Sequence, residues 1–322
     1  MKKHCILLSL LLIQITANAF KGEAVIDGIN YFIITDAQLA EVRKKPLNYS
    51  GDIVIPSSIE YEGVICNVTS IGENAFESCY YLTSVVIPNS VTSIGNFAFQ
   101  GCLGLSSIII PQSITSIGLS AFDGCSSLSS FVIPYQVTSI ANWTFFGCEK
   151  LLSITIGDNV TSIGTYSFGS CSSLSTVIIP NSVTSISRYA FANCSSLNSL
   201  TIGSGMSSIG SKAFTNCSDL TNVYCYAETV PNTDLNVFDG SHIEYATLYV
   251  PESSVNDYKV AAPWSKFGKI IALTNNSSGF YPSTNSETLD NDYYYTTSGI
   301  RVKQPTKGVY IRRGKKVLCN KH

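Results

Sequence analysis

Residues 91–113 read V-T-S-I-G-N-F-A-F-Q-G-C-L-G-L-S-S-I-I-I-P-Q-S, and this 23-residue unit decides the fold. Its landmarks recur at one step along the chain. The cysteines are Cys79, Cys102, Cys125, Cys148, Cys171, Cys194 and Cys217, and the phenylalanines are Phe76, Phe99, Phe122, Phe145, Phe168, Phe191 and Phe214. Ile71, Ile94, Ile117, Ile140, Ile163, Ile186 and Ile209 keep the same step, as do Leu82, Leu105, Leu128, Leu151, Leu174, Leu197 and Leu220. Seven copies without an insertion define a repeat array, in which each unit needs neighbours to bury its apolar face.

Each column has a physical task. Leu105, Ile108 and Ile110 are expected to point inward while Ser107 and Ile109 alternate outward, as the period of two on a strand requires. Pro111 lacks an N–H and ends that strand, and Gly157 and Gly203 replace it as breakers in two copies. The β-branched run 91–94 reads as a second short strand, with Gly95 permitting a turn at positive φ. Phe99 and Cys102 are three apart, which predicts one side of a tight helical turn facing the core; Phe122, Phe168 and Phe191 repeat that core position. The expectation is a β-rich solenoid whose seven coils, rising about 4.8 Å each, make a rod roughly 34 Å long before its caps.

The pattern L-x-x-I-x-I-P, then S-V-T-S-I-G, then A-F-x-x-C-x-x-L resembles the BspA-like leucine-rich repeats of bacterial surface proteins, closely over residues 68–230. The flanking runs 50–56 (S-G-D-I-V-I-P) and 246–251 (A-T-L-Y-V-P) are similar to the same family. The resemblance implies a right-handed leucine-rich-repeat solenoid with a cell-surface role, commonly adhesion to host or matrix proteins. It supplies no catalytic residue and no ligand set, because the shared columns are packing positions.

Composition narrows the function classes. The 322 residues are 45% apolar and only 13% charged, with net charge −2, which excludes a disordered chain. A pI near 5.9 gives no bulk attraction to nucleic acid. Lys2 and Lys3, an apolar run of about eleven residues and Ala17-Asn-Ala19 read as a secretory signal peptide cleaved near Ala19. That run is shorter than the roughly 20 residues a spanning helix needs, so no membrane span is expected in the mature chain. The protein is expected to be secreted or held on the outer cell surface.

Eleven cysteines in an exported chain ordinarily indicate disulfides. Here the ladder holds seven, an odd number, at one structural position. Stacked neighbours about 4.8 Å apart with parallel Cβ vectors do not fit a disulfide, which needs Cβ atoms about 3.8 Å apart and converging. The reading is a ladder of buried thiols, cysteine packing as a small hydrophobe. A metal array finds no histidine or carboxylate in register, and neither metal nor cofactor is expected. Cys66, Cys225 and Cys319 lie outside the ladder, which leaves a pair such as Cys217 with Cys225 open.

Partners must be told apart by the variable columns. The outward strand column runs Val86, Ile109, Val132, Thr155, Ile178, Thr201, Tyr224, beside Ser84, Ser107, Ser130, Ser153, Thr176, Ser199, Asn222. It is either an uncharged contact face or a solvated sheet face whose Ser/Thr content follows β-propensity. Two places before the repeat phenylalanine stand Phe97, Ser120, Trp143, Tyr166, Tyr189 and Lys212. Aromatics at coil spacing either stack on sugar rings or anchor a protein, or else cover coil junctions. Residues 69–229 carry ten charges, seven of them acidic, so long-range steering is weak.

Residues 20–67 read as an N-terminal β cap with strands at 31–34 and 53–55, and 36–45 as a short charged helix. Residues 231–274 leave the period and read as a closing cap, with a helix at 253–259 and Trp264 in an aromatic plug. Residues 275–291, rich in Ser, Thr and Asn, read as a linker. After Asp292 come eight basic and no acidic residues in three or four short strands. That module is similar to the C-terminal sorting domains of Bacteroidetes secreted proteins, which implies recognition by export or attachment machinery. A basic patch for anionic polysaccharide or lipid headgroups and a plain β module remain the alternatives. With histidine only at His4, His242 and His322, and no H-E-x-x-H, G-x-S-x-G or phosphate loop, no enzyme is expected. The function expected is non-enzymatic binding of host or matrix proteins, with glycan binding or a passive structural role as the alternative.

Overall fold

In a computed structural model, residues 20–273 are described, together with tail strands at 294–296, 301–302, 308–312 and 315–319. The signal-peptide, cleavage-site and linker expectations fall outside the described residues.

The array coils into a solenoid along two parallel strand columns. In the first, Leu82–Val86 pairs with Ser107–Ile109, and Ser130–Val132 with Ser153–Thr155. A separate ladder of this column then begins, in which Thr176–Ile179, Ser199–Ile202 and Asn222–Cys225 pair in turn, each residue facing its equivalent 23 positions away. The second column is built from two-residue strands such as Ser93–Ile94 and Ser116–Ile117. The stack runs past the seven repeats. Gly51–Val54 precedes it, and Thr247–Val250 and Lys269–Ala272 extend it after the period is lost.

The third side differs from the expected helical turn. The segment carrying Phe99 is a chain of turns closed by Gln100 N→Phe97 O (3.1 Å) and Cys102 N→Phe99 O (3.2 Å). It cannot propagate as a helix because its ends are left-handed, with φ of 56° at Phe97 and 70° at Gly101. That geometry aims alternate N–H groups at the next coil: Phe97 N→Leu119 O, Phe99 N→Ala121 O and Gly101 N→Asp123 O, at 2.7–2.8 Å. Every coil is thereby tied to the next on a face that carries no strand. Gly95 is not at positive φ as expected; a Cβ there would lie 2.7 Å from Glu73 N, so close approach of the coils excludes a side chain.

The repeat phenylalanines form one internal stack from Phe76 to Phe214, with centroids 4.9–5.5 Å apart and rings within 10° of parallel. Tyr49 closes it at the N-terminal end, 4.7 Å from Phe76. At the other end Phe238 adds one more ring, and Trp264 packs edge-on against Phe238 and Tyr258, fully buried.

One coil interrupts this regularity. Where its neighbours carry Ile108 and Ile154, it carries Phe131, whose ring wedges edge-on between Phe122 (5.0 Å) and Phe145 (4.7 Å). Phe122 and Phe145 are the widest-spaced pair of the repeat stack, at 5.5 Å. Ile108 and Ile154 are only half-buried, whereas Val85, Val177 and Leu200 in the same column are buried. Both strand ladders stop between this coil and the one before it, at 109/130 and at 117/139. Across that junction the backbone is joined on the turn side, through Ser120 N→Asn142 O, Phe122 N→Thr144 O and Gly124 N→Phe146 O.

The N-terminal cap comprises β1 (Lys21–Ile26), β2 (Ile29–Ile34), β3 (Leu39–Arg43), β4 (Gly51–Val54), β5 (Ser58–Tyr61) and β6 (Val64–Ile71). The helix expected over 36–45 is instead β3, which pairs antiparallel with β2 and parallel with β6. Its Ala40 and Val42 alternate into the core, and Glu41 accepts from Ser70 Oγ at 2.9 Å. The C-terminal cap holds one short α-helix, α1 (Val255–Val260), and three single 3-10 turns. The tail strands form an antiparallel sheet in the order 301–302, 294–296, 308–312, 315–319.

Candidate functional site

The cysteine ladder is held by packing and, from Cys102 to Cys217, by one hydrogen bond per coil. In six of the seven, Sγ–H donates to the carbonyl of the phenylalanine 26 residues earlier: Cys102 to Phe76, Cys125 to Phe99, Cys148 to Phe122, Cys171 to Phe145, Cys194 to Phe168 and Cys217 to Phe191, at 3.1–3.3 Å; Cys79, in the first coil, instead meets Glu77 O at 3.9 Å. The chain contains its own control. One coil further, Ser241 Oγ makes the same bond to Phe214 O. Cys66, Cys79 and all six donors are free and buried, and burial pushes each of these thiols up, Cys217 to about 12. Buried and held protonated, these thiols are poorly placed to act as nucleophiles at neutral pH. Cys225 is also free, with its Sγ 3.2 Å from the Tyr258 hydroxyl rather than bridged to Cys217. Among the described residues no cluster of three or more His, Cys, Asp or Glu comes together.

The strand face presents Val54, Val86, Ile109, Val132 and Ile178 as exposed aliphatics, with Ile109 58% exposed. Thr155 is exposed beside them. Thr201 departs from the sequence expectation: at 4% exposure, between Ile178 and Tyr224 in the ladder, it offers no contact surface. Tyr224 stacks on Tyr249 at 4.5 Å, which continues the ribbon beyond the repeats. Charge is confined to the ends of this face. At one end the Ser84 and Thr83 hydroxyls donate to Asp52 Oδ1 (both 2.7 Å) and hold its carboxyl below the usual range; at the other stands Lys269.

The aromatic column on the turn face is a second surface. Trp143 stacks on Tyr166 (4.2 Å, 22°) and Tyr166 on Tyr189 (4.6 Å, 2°), all three half-buried. Phe146, which sequence reasoning missed, braces Trp143 edge-on at 4.8 Å. Its signal was present: Phe146 falls where the next coil has Gly169, and a Cβ on Gly169 would lie 2.9 Å from the Phe146 ring. Phe97 is half-buried in the same column, and Ser120 buried. Every member is left-handed, with φ of 56° at Phe97, 52° at Ser120, 60° at Trp143, 53° at Tyr166, 58° at Tyr189 and 56° at Lys212. Asn74, also at 58°, is the residue type such a backbone favours, and bulky side chains there cost about 1 kcal/mol each. The fold accepts Asn, Ser and Lys at this position, so the rings are not required by the coil.

Comparison with known proteins agrees with this architecture. No curated protein matches the chain. Among solved structures, a leucine-rich repeat protein from Bacteroides ovatus is 23% identical with a TM-score of 0.53, over 78% of this chain and 76% of its own. The T. pallidum leucine-rich repeat protein is 27% identical with a TM-score of 0.54, over 62% of this chain and 90% of its own. The model of the BspA type leucine rich repeat region matches in six copies over residues 56–168 and 143–259. Repeat period, paired strand columns and internal ring stack have one common source: the chain belongs to the BspA-type leucine-rich repeat family.

Proposed function

We propose that this chain is a non-enzymatic protein of the cell surface or secreted fraction that adheres to host or extracellular-matrix proteins through its strand face. The supporting observation is the ribbon of Val86, Ile109, Val132 and Ile178, exposed in register and without a charged neighbour in the column beside it. Exposed aliphatic side chains repeated on one face, here interrupted by Thr155, mark a contact site, and their desolvation favours protein partners. Retention of the purified chain on immobilised matrix proteins tests this reading. Ile109→Lys together with Val132→Lys is expected to cut retention at least tenfold, while stability changes by only about 0.5 kcal/mol per site because both side chains are exposed. Undiminished retention by the double variant would sink the proposal, as would failure of the parent chain to bind any matrix protein.

The basic tail is proposed to direct export or surface attachment. Its sequence has eight basic and no acidic residues after Asp292, with four short strands. Deleting residues 290–322 is expected to abolish surface display, and unchanged display would exclude a sorting role.

A further inference from the structure

We propose that the N-terminal end of the aromatic stack, at Trp143, is a subsite for a neutral hexopyranose unit of a glycan, with Gln100 and Asp123 as its polar partners. Within the stack the ring faces cover one another: Tyr166 lies on one face of the Trp143 indole, and Tyr189 lies on Tyr166. The opposite face of the indole is different. There the column holds Ser120, a side chain too short to cover an indole, and the next ring, Phe97, belongs to the coil beyond. Phe146 fixes the indole from its edge, and Gly169 leaves room for Phe146 to lie against Tyr166. The result is a braced aromatic platform with one face that no other ring covers.

Polar groups stand at that same end. Asp123 occupies the column of Phe146 one coil earlier, and Gln100 the coil before that. Gln100 Nε2–H donates to Asp123 Oδ2 at 2.8 Å, which orients the two planar groups as a pair. Among the described residues, Asp123 Oδ1, Gln100 Oε1 and the Trp143 Nε1–H make no hydrogen bond. A pyranose matches this arrangement: a C–H face for the ring, and a rim of vicinal hydroxyls that both donate and accept. The surrounding coils carry few charges, which favours a neutral sugar over a sulfated or sialylated one. This surface lies on the turn side, apart from the strand-face ribbon, so the two proposals fail independently.

The two tryptophans make the test direct. Trp264 is fully buried and Trp143 half-buried, so emission quenched by acrylamide reports on Trp143. The full chain is titrated with lactose and cellotetraose and applied to an array of defined neutral glycans. The expected result is saturable protection of Trp143 by array-positive neutral sugars. Trp143→Asn, which installs the residue type of Asn74 at the same φ, should abolish the array signal with unchanged circular dichroism and melting temperature. Asp123→Asn should weaken it about tenfold, as expected for one lost charge-assisted contact. Ile109→Lys with Val132→Lys should leave it intact. Absence of binding to any neutral glycan, binding retained by Trp143→Asn, or preference for peptides would each overturn the assignment.

Discussion

Raising the pH above about 9 should unfold this protein over an unusually narrow range. The six ladder thiols from Cys102 to Cys217 are buried, and desolvation of the thiolate raises all of their pKa values in the folded state. The unfolded chain ionises them near the ordinary value of 9.0. The folded chain therefore holds more protons than the unfolded one between that value and its own higher pKa values. Stability is intact below the unfolded value and is lost as pH rises toward the folded ones. One unit above the unfolded value each thiol contributes a loss of about 1.4 kcal/mol, and six together about 8 kcal/mol. A typical domain has roughly 5–15 kcal/mol in total, so the transition should fall between about pH 9.5 and 11. Urea denaturation at steps from pH 7 to 10.5 measures the slope directly. Replacing Cys171 and Cys194 by serine, the residue that already serves as Ser241, should lower the slope by about a third and move the midpoint upward. A flat profile to pH 10.5, or an unchanged slope in the serine variants, would refute the account.

The burial behind that prediction was legible in the sequence, but the hydrogen bond each ladder thiol makes was not. The 23-residue step was legible because each position of a coil meets one environment seven times, so Phe, Ile, Leu and Cys columns report the same inward face repeatedly. Why the small core residue is cysteine was not legible, because its partner is a backbone carbonyl 26 residues back, and carbonyls leave no mark on residue identity. The aromatic column was half legible. Its coil spacing showed in Trp143, Tyr166 and Tyr189, but left-handed φ is normally signalled by Gly or Asn, and here only Asn74 gives that signal. Four residues on, Gly101, Gly124 and Gly147 do mark the second left-handed position, yet Gly95 drew attention first for a reason that proved to be close coil approach. Charge misled the reading of residues 36–45. Asp36, Glu41, Arg43, Lys44 and Lys45 suit an exposed helix, but the Ala40/Val42 alternation was the stronger constraint, because it fits a strand between β2 and β6.

Phe131 was visible as a phenylalanine in an aliphatic column, but its consequence required the neighbours. In a stack where each coil contacts only the adjacent ones, stability is approximately a sum of coil and junction terms. Most junctions are held by two strand columns, the turn ladder and the phenylalanine stack. The junction between the Phe122 and Phe145 coils has neither strand ladder, so it depends on the turn ladder, on Phe122, Phe131 and Phe145, and on the bonds from Cys148 Sγ to Phe122 O and from Tyr135 N to Gln112 Oε1. Phe191→Ala and Phe145→Ala each remove one fully buried ring and should each cost about 3–5 kcal/mol. Their modes of failure should differ. Phe191→Ala leaves ladders on both sides of the lesion and should lower a single cooperative transition. Phe145→Ala weakens the one junction without strand pairing and should split the transition in two, with proteolysis concentrating between residues 124 and 139. Phe131→Val, which restores the aliphatic column, should re-join the ladders and protect the amides of 130–132 from hydrogen exchange. Identical single transitions for the two alanine variants would show that the wedge does not divide the rod.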